Sequence, residues 1–345
     1  MASIEDVARE AGVSISTVSY ALSGKRSIRE STRERVRDAA DRLGYLPHAS
    51  ARMLASNRSN IIAVVAPLHP DTDDRAHMEF ALEVTRAARR RNYDTLLFVD
   101  DDALAGMKRN AATSLADGII VLDVDADDAR ADFARSLSYP TVFIGIPAET
   151  RELVCVDLDF ESAAALAVER LAAAGCTSIG LITHCDDVIS RGQNFPLRVM
   201  SSFEQDLTAR GIAHAVATPR VGHVEEALDE LIAALPRLDG LVVNSNPEVA
   251  WAVTSSLARR GLNIPEDVSV IAVGVPYSTE RLPSPLDTIP LVAQESCELA
   301  VSLLTRIIDE GFGAPETTLI PPTYIERGSV RTSDHNKKTE GETGR

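Results

Sequence analysis

The chain has 345 residues, 45% hydrophobic and 25% charged, with a formal net charge of −16. That is long enough for two or three domains with a sizeable core, and too acidic for the whole surface to bind nucleic acid or an anionic membrane. The charge is uneven, however: residues 1–60 hold ten Lys or Arg against seven Asp or Glu, so a basic head precedes an acidic body.

Three short helical patterns fill residues 3–43. The first opens at Ser3, with Asp6 at the capping-box position, buries Ile4, Val7, Ala8 and Ala11, and ends at Gly12. The second runs from Ser14 or Ile15 to Leu22, with Val18 and Leu22 on one face, and Gly24 closes it. The third has a capping box at Ser31 and Glu34, turns Val36, Ala39, Ala40 and Leu43 inward, and stops at Gly44. The tight Gly12-Val13-Ser14 connection fits a helix-turn-helix. Pro47 breaks the third helix, HASARMLA allows one or two helical turns, and SNRSN reads as a linker.

From Ile61 the texture changes. IIAVVAP, DTLLFVD, GIIVLD and TVFIGI alternate with helical stretches, the first from about His77 to Arg91. Strands that are apolar throughout indicate a parallel sheet covered on both faces. After VCVDLDF the pattern restarts: helix 161–174, SIGLIT, a helix near 197–210, HAVATP, a helix near 224–234, GLVVNS, a helix near 248–260 and VSVIAVG. Helix 293–310 and the strand-like TLIPPTYIERGSV follow, and the polar tail from Thr332 is expected to be disordered. These are two doubly wound α/β units in series.

Cys155, Cys176, Cys185 and Cys297 show no Cys-x-x-Cys spacing, so they read as reduced thiols of a cytoplasmic protein. No apolar run reaches membrane-span length, and the first 20 residues lack a signal-peptide core. G-x-S-x-G, P-loop and G-x-G-x-x-G motifs are absent, and HCDD (184–187) and DDD (100–102) are poorly spaced to converge on one metal. Neither an enzyme nor a cofactor is indicated.

In a helix-turn-helix the second helix enters the major groove, and its first residues meet base edges. Here those are Ile15, Ser16 and Thr17, with Ser19 and Tyr20 a turn on. Five longer stretches carry a resemblance: SIEDVAREAGVSISTVSYALSG, TRERVRDAADRLGYLPHASARML, ADGIIVL, ARRGLNIPEDVSVIAVG and LIPPTYIERGSV, spread over nearly the whole chain. They resemble the lactose-repressor (LacI/GalR) family of bacterial transcription regulators.

The resemblance implies an all-α helix-turn-helix DNA-binding head and an α/β core of two doubly wound parallel-sheet subdomains, like periplasmic sugar-binding proteins. The head would span 1–46, a hinge helix and linker 47–60, the core 61–331 and the tail 332–345. Within the core, the first subdomain would take about 61–158 and 288–331, and the second about 159–287. The resemblance also implies a homodimer, or a tetramer, on palindromic operator DNA, gated by a small-molecule effector, in the cytoplasm with the nucleoid and without a membrane. Ile15, Ser16 and Tyr20 take the base-reading positions, and Ser14, Thr17 and Ser19 the phosphate-holding ones. Ser3, Ile4, Ser23, Ser27, Thr32, Arg33 and Tyr45 complete the DNA-facing set of the head. Lys25, Arg26, Arg29 and Arg33 extend its positive field. In the hinge, Leu54, with Ala51 beside it, is the apolar wedge for the minor groove. Tyr20 stands where family members often carry Arg, and Tyr lacks the bidentate contact to guanine, so the operator should differ there.

The default effector site is the cleft between the two units, at the carboxyl ends of the strands. Its candidate residues are His69, Asp71, Asp73, Asp123, Arg198, Asn244, Asn246 and Tyr277. The family's usual contacts are thinned: Val199 occupies the place of an Arg, Ser245-Asn246 that of Asn-Asp, Gly274-Val275 that of Asp-Asp, and Leu291 that of a Gln. The expected effector is therefore not an ordinary sugar bound in the usual manner, or the pocket has lost its ligand. Two further readings stand beside this one. One is a binding protein or α/β enzyme whose N-terminal helices are a structural cap, which would need neither a basic head nor a hinge. The other is a regulator that ignores small ligands.

Overall fold

Ser3 starts the chain's first helix by a reciprocal cap: the Asp6 amide donates to Ser3 Oγ at 3.2 Å, and the Ser3 amide donates back to Asp6 Oδ2 at 2.9 Å. In the computed structural model, which describes residues 2–23, 28–45, 58–69, 73–99, 102–137, 139–311 and 314–332, three helices form the head. They are α1 (Ile4–Ala11), α2 (Ile15–Ser23) and α3 (Glu30–Leu43). Gly12, at φ 62°, lets α1 stop and the chain turn into α2, a conformation that costs a residue with Cβ. Val7, Ala8, Ala11, Val18, Ala21, Val36, Ala39 and Ala40 meet in the centre, and Tyr45 joins them.

Two expectations for α3 are corrected. The helix begins at Glu30, one residue before the expected cap, with Arg29 as an N-cap that makes no side-chain bond. Ser31 thus falls inside the first turn, where the Ser31–Glu34 box cannot form. Leu43 ends the helix partly exposed instead of pointing into the core. The hinge with Ala51 and Leu54, residues Gly24 to Ser27, and the tail from 333 lie outside the described residues.

The core carries β1 (Ile61–Val65), α4 (Asp74–Arg90), β2 (Asp94–Phe98), α5 (Ala103–Thr113), β3 (Gly118–Val121), α6 (Ala129–Ser136), β4 (Thr141–Ile144) and β5 (Val154–Leu158). It continues with α7 (Phe160–Ala173), β6 (Ser178–Ile182), α8 (Asp186–Arg191), α9 (Asn194–Arg210), β7 (Ala213–Ala217), α10 (Val224–Ala234), β8 (Gly240–Val243) and α11 (Pro247–Arg259). The last elements are β9 (Ser269–Val275), β10 (Asp287–Pro290), α12 (Ala293–Glu310) and β11 (Glu316–Ile320). The strands form two sheets, in the orders β11-β5-β4-β3-β1-β2 and β10-β9-β8-β6-β7, with every named pairing parallel.

Burial on both faces explains the continuous apolar runs. In β1, Ile62 and Val64 pack with Val84, Val301 and Leu304, while Ala63 and Val65 pack on the other face with Met107 and Phe143. In the second sheet, Leu241 and Val243 face Leu228 and Val253, and Leu181 and Val242 face Phe203 and Leu171. β2 departs from this rule. As an edge strand it leaves Leu96 and Leu97 exposed, so its apolar sequence does not mean cover on both faces.

The division of the chain between the sheets differs from the expected one. β10 joins β9 in the second sheet, so the crossover back to the first sheet follows Pro290 rather than residue 287. After β11 the chain crosses once more. Ile325 bridges Thr288 with backbone bonds of 2.8 and 2.9 Å, the Val270 amide donates to Ser329 O at 2.9 Å, and the Arg331 amide donates to Ser269 Oγ at 3.1 Å. The segment after Ile320 therefore belongs with the second sheet, and only Glu316–Ile320 of the strand-like C-terminal stretch forms a strand. Short hydrophobic strands tell which residues pair, but not which sheet accepts them.

Candidate functional site

In the head, Val18 and Ala21 are buried against α1 and α3, and this fixes the opposite face of α2 outward. Ile15 is 47% exposed and Tyr20 36% exposed, and Ser16 is exposed beside them. An isoleucine held in water costs about 1 kcal/mol or more of forgone burial, which a partner surface recovers. Ser14 has a structural duty: the Thr17 amide donates to its Oγ at 3.2 Å, and the two hydroxyls lie 2.8 Å apart, capping α2. Ser3 is likewise held in its capping box, and Ile4 is half-buried. Ser19 and Thr32 are half-buried at the surface, and Arg33 pairs with Glu30 at 2.7 Å. Tyr45 departs from expectation, because its ring is buried in the head core and packs rather than facing outward. The side chain of Ser23, and Ser27, Ala51 and Leu54, lie outside the described residues.

The linker ends on the first subdomain. Arg58 Nη1 reaches Asp309 Oδ1 at 2.5 Å and Nη2 donates to Ile308 O at 2.9 Å, at the end of α12. Asp117, just before β3, accepts from the Ser59 amide at 2.6 Å and the Asn60 amide at 2.8 Å. Whatever displaces the first subdomain carries these residues with it.

Between the sheets lies a cavity of about 720 Å³, lined from the carboxyl ends of β3, β4 and β5 on one side and β6, β8 and β9 on the other. In a doubly wound fold the same ends carry helix N-termini, so their polar residues are drawn on twice. Asp73 caps α4 by accepting from the Arg75 and Ala76 amides, both at 3.1 Å, and Asn246 caps α11 through the Val249 amide at 2.9 Å. Both still line the cavity, as does Asp123.

The remaining candidates are placed differently. Asn244 is fully buried, donating to Val273 O at 2.8 Å. Tyr277 donates to Ser245 O at 3.1 Å behind the cavity wall, and burial pushes its phenol well above the usual range. Arg198 is buried on Asp157 at 2.6 Å and Glu161, over the Phe160 ring; Asp157 and Phe160 reach the cavity, and Arg198 does not. Asn244, Tyr277 and Arg198 are structural, not lining, residues. His69 Nε2 stands 3.7 Å from Asp123 Oδ2, and Asp71 lies outside the described residues.

Sequence reasoning missed several lining residues: His77, Phe160, Phe195, Arg191 and Gln193; Ser245, named beside Asn246, lines the cavity too. In the sequence His77 reads as the start of a helix and Phe160 as the end of the VCVDLDF run, and neither carries a binding signal. Arg191 and Gln193 flank Gly192, where α8 ends, and α8 replaces what reads as a loop. This turn crosses to the other lobe. The Ala126 amide donates to Gly192 O at 2.8 Å, the Asn194 amide to Val124 O at 3.1 Å, and Arg191 Nη1 to Asp125 Oδ1 at 2.8 Å. Gln193 Nε2 donates to Asp123. Burial, opposed by Arg191, raises the Asp125 carboxyl to about 6. Burial lowers His77, against the pull of Asp123, so its imidazole is neutral at pH 7. Its Nε2 and the Oγ of Ser245 are buried without a hydrogen-bond partner.

Among the described residues no group of three or more His, Cys, Asp or Glu is placed to hold a metal ion, and no helix is long and apolar enough to cross a membrane. Residues 3–48 match the family described as bacterial regulatory proteins, lacI family, and residues 168–330 match the periplasmic binding protein-like domain. The chain is 28% identical to the ribose operon repressor of Bacillus subtilis (strain 168), over 97% of this chain and 100% of that one. It is 25% identical to catabolite control protein A of Priestia megaterium, over 89% and 92%. The fold is similar to the Lac repressor dimer bound to operator and the anti-inducer ONPF, with a TM-score of 0.79 at 21% identity, covering 96% of this chain and 99% of that one.

Proposed function

The chain belongs to the lacI family of bacterial regulatory proteins, DNA-binding transcriptional regulators with an effector-binding core and no enzymatic activity, and from that premise we propose how this member works. It is a repressor. Two copies pair through their cores and set their α2 helices in successive major grooves of a pseudo-palindromic operator. Ile15, Ser16 and Tyr20 read base edges, and Ser14, Thr17 and Ser19 steady the phosphates. Leu54 wedges the central step, with Ala51 beside it. The effector enters the cavity between the lobes, changes their angle, and through the Arg58 and Asp117 anchors changes the spacing of the two linkers. A coupling of about 1–3 kcal/mol is ordinary for such a device. The protein acts in the cytoplasm.

The observation that carries this reading is the outward face of α2, with Ile15 and Tyr20 exposed above a head core closed by Val18 and Ala21. The test is selection of duplex DNA from a random library by the purified full-length protein. A two-fold symmetric site should be enriched, and its affinity should fall steeply with salt. Enrichment of no symmetric sequence would overturn the reading.

A further inference from the structure

We propose that the cavity takes a non-anionic, largely apolar aromatic molecule, and not a sugar, a sugar phosphate or a carboxylate; this rests on the effector-gated reading above.

The polar groups on the wall are nearly all engaged by the protein itself. Arg191 is bonded to Asp125 and Asp123, Gln193 to Asp123, Arg220 to Glu226, Glu225 to Arg259, and Asp157 to Arg198. Asp73 and Asn246 cap helices. The buried wall atoms without a hydrogen-bond partner are Nε2 of His77, Oγ of Ser245, a residue only 3% exposed, and Nε of Arg191, whose Nη1 is held by Asp123 and Asp125. A sugar carries a hydroxyl on almost every carbon, and each one buried without a partner costs about 1–3 kcal/mol. So few vacant partners cannot repay that, but they suit a molecule with one or two polar groups.

The rest of the wall is apolar and aromatic. Phe160 and Phe195 lie 5.1 Å apart, centroid to centroid, at 31°, and His184 stands edge-on to Phe195 at 5.0 Å. Two glycines make room for this lining. A Cβ on Gly274, already at φ 63°, would come within 2.5 Å of the Phe160 ring, and one on Gly145 within 2.9 Å of Val124. Such a surface gains by covering a flat ring. Charge completes the argument. Asp73, Asp123, Glu225 and Glu248 line the cavity, while Arg191 and Arg220 are drawn to carboxylates and both imidazoles are outnumbered. An anion entering here would be desolvated among like charges.

The matched probes are N-phenyl-1-naphthylamine and 1-anilinonaphthalene-8-sulfonate, which share one aromatic body and differ by a sulfonate. Titrated into the full-length protein and followed by emission, the neutral probe should saturate at one per chain and bind about tenfold or more tighter than the sulfonate. Ala252→Trp, which fills the cavity, and Val221→Glu, at a lining position 69% exposed and so tolerant of change, should each weaken it. D-glucose and glucose 6-phosphate at millimolar concentration should leave the melting temperature unchanged. Equal or tighter binding of the sulfonate, binding indifferent to both variants, or no binding of the neutral probe overturns the assignment. A cavity-dependent shift with either sugar also overturns it; if that sugar alters operator affinity too, the regulator reading survives. Should the neutral probe fill the cavity while no DNA is ever selected, the pocket chemistry holds and the regulator reading falls.

Discussion

Tyr20 and Ser19 are neighbours on α2, and the proposed function gives them different duties, base reading and phosphate holding, which their substitutions would separate. Tyr20→Arg supplies two parallel donors for guanine, so DNA selection with that variant should change the preferred base at one position of each half-site. Ser19→Ala should weaken binding to all sequences alike, by about 0.5–1.5 kcal/mol, in titrations of matched and mismatched duplexes. If both variants selected the parental site with parental affinity, α2 would not be the reading helix. Asp125 gives a pH signature at the lobe junction. Burial raises its carboxyl to about 6, above its unfolded value. The folded chain therefore holds a proton there that the unfolded chain has released. The stability this contributes is complete below the unfolded pKa and is lost as pH rises through about 6. The core melting temperature should fall over that interval for this reason, and Asp125→Asn should flatten the fall in calorimetric scans from pH 4 to pH 7.

At the scale of elements, caps and edges set what each segment can do. Removing the Ser3 hydroxyl (Ser3→Ala) takes away the side-chain half of the cap, its bonds to the Asp6 amide and carboxylate, so the head should lose about 1 kcal/mol while the core transition stays in place. Hydrogen exchange of the α1 amides checks this. The aspartates at the strand ends illustrate how one residue type serves two masters. Asp73, Asp102, Asp128 and Asp159 each accept backbone amides at the start of a helix. An acid-rich loop therefore reads as a binding loop in sequence, although one of its acids, such as Asp73, serves as a helix cap. The cavity was legible to that extent: its place at the carboxyl ends of the strands follows from the doubly wound pattern, and Asp73, Asp123 and Asn246 were found. His77 and the Phe160–Phe195 pair were not, because His77 reads as the start of a helix and Phe160 as the end of the VCVDLDF run, and only the opposing lobe turns them into a wall.

For the whole molecule, the exposed β2 edge of the first sheet and the outer side of α4 bear on assembly. Met78 and Leu82 of α4, and Leu96 and Leu97 of the edge strand β2, are exposed together with Val99. An apolar face of this kind on a chain of net charge −16 fits pairing with a second copy. Leu97→Asp combined with Leu82→Asp should give a monomer in analytical ultracentrifugation and, by uncoupling two half-sites, loosen operator binding. If the double variant sediments like the parent, the cores pair elsewhere.

The helix-turn-helix head, the two α/β units and the hydroxyl-rich character of α2 were legible in the sequence. Each of these rests on local physics: caps, turn glycines, helical spacing and short apolar strands. Tertiary structure alone decided that β10 and the segment after Ile320 belong to the second sheet, that Tyr45 packs inward, and that Arg198, Asn244 and Tyr277 stand behind the cavity rather than in it. It also decided that Nε2 of His77 and Oγ of Ser245 are buried without a hydrogen-bond partner. The reason is common to all of them. A local pattern says whether a side chain is buried, but what it is buried against depends on which distant segment arrives beside it, and here that segment comes from the other lobe.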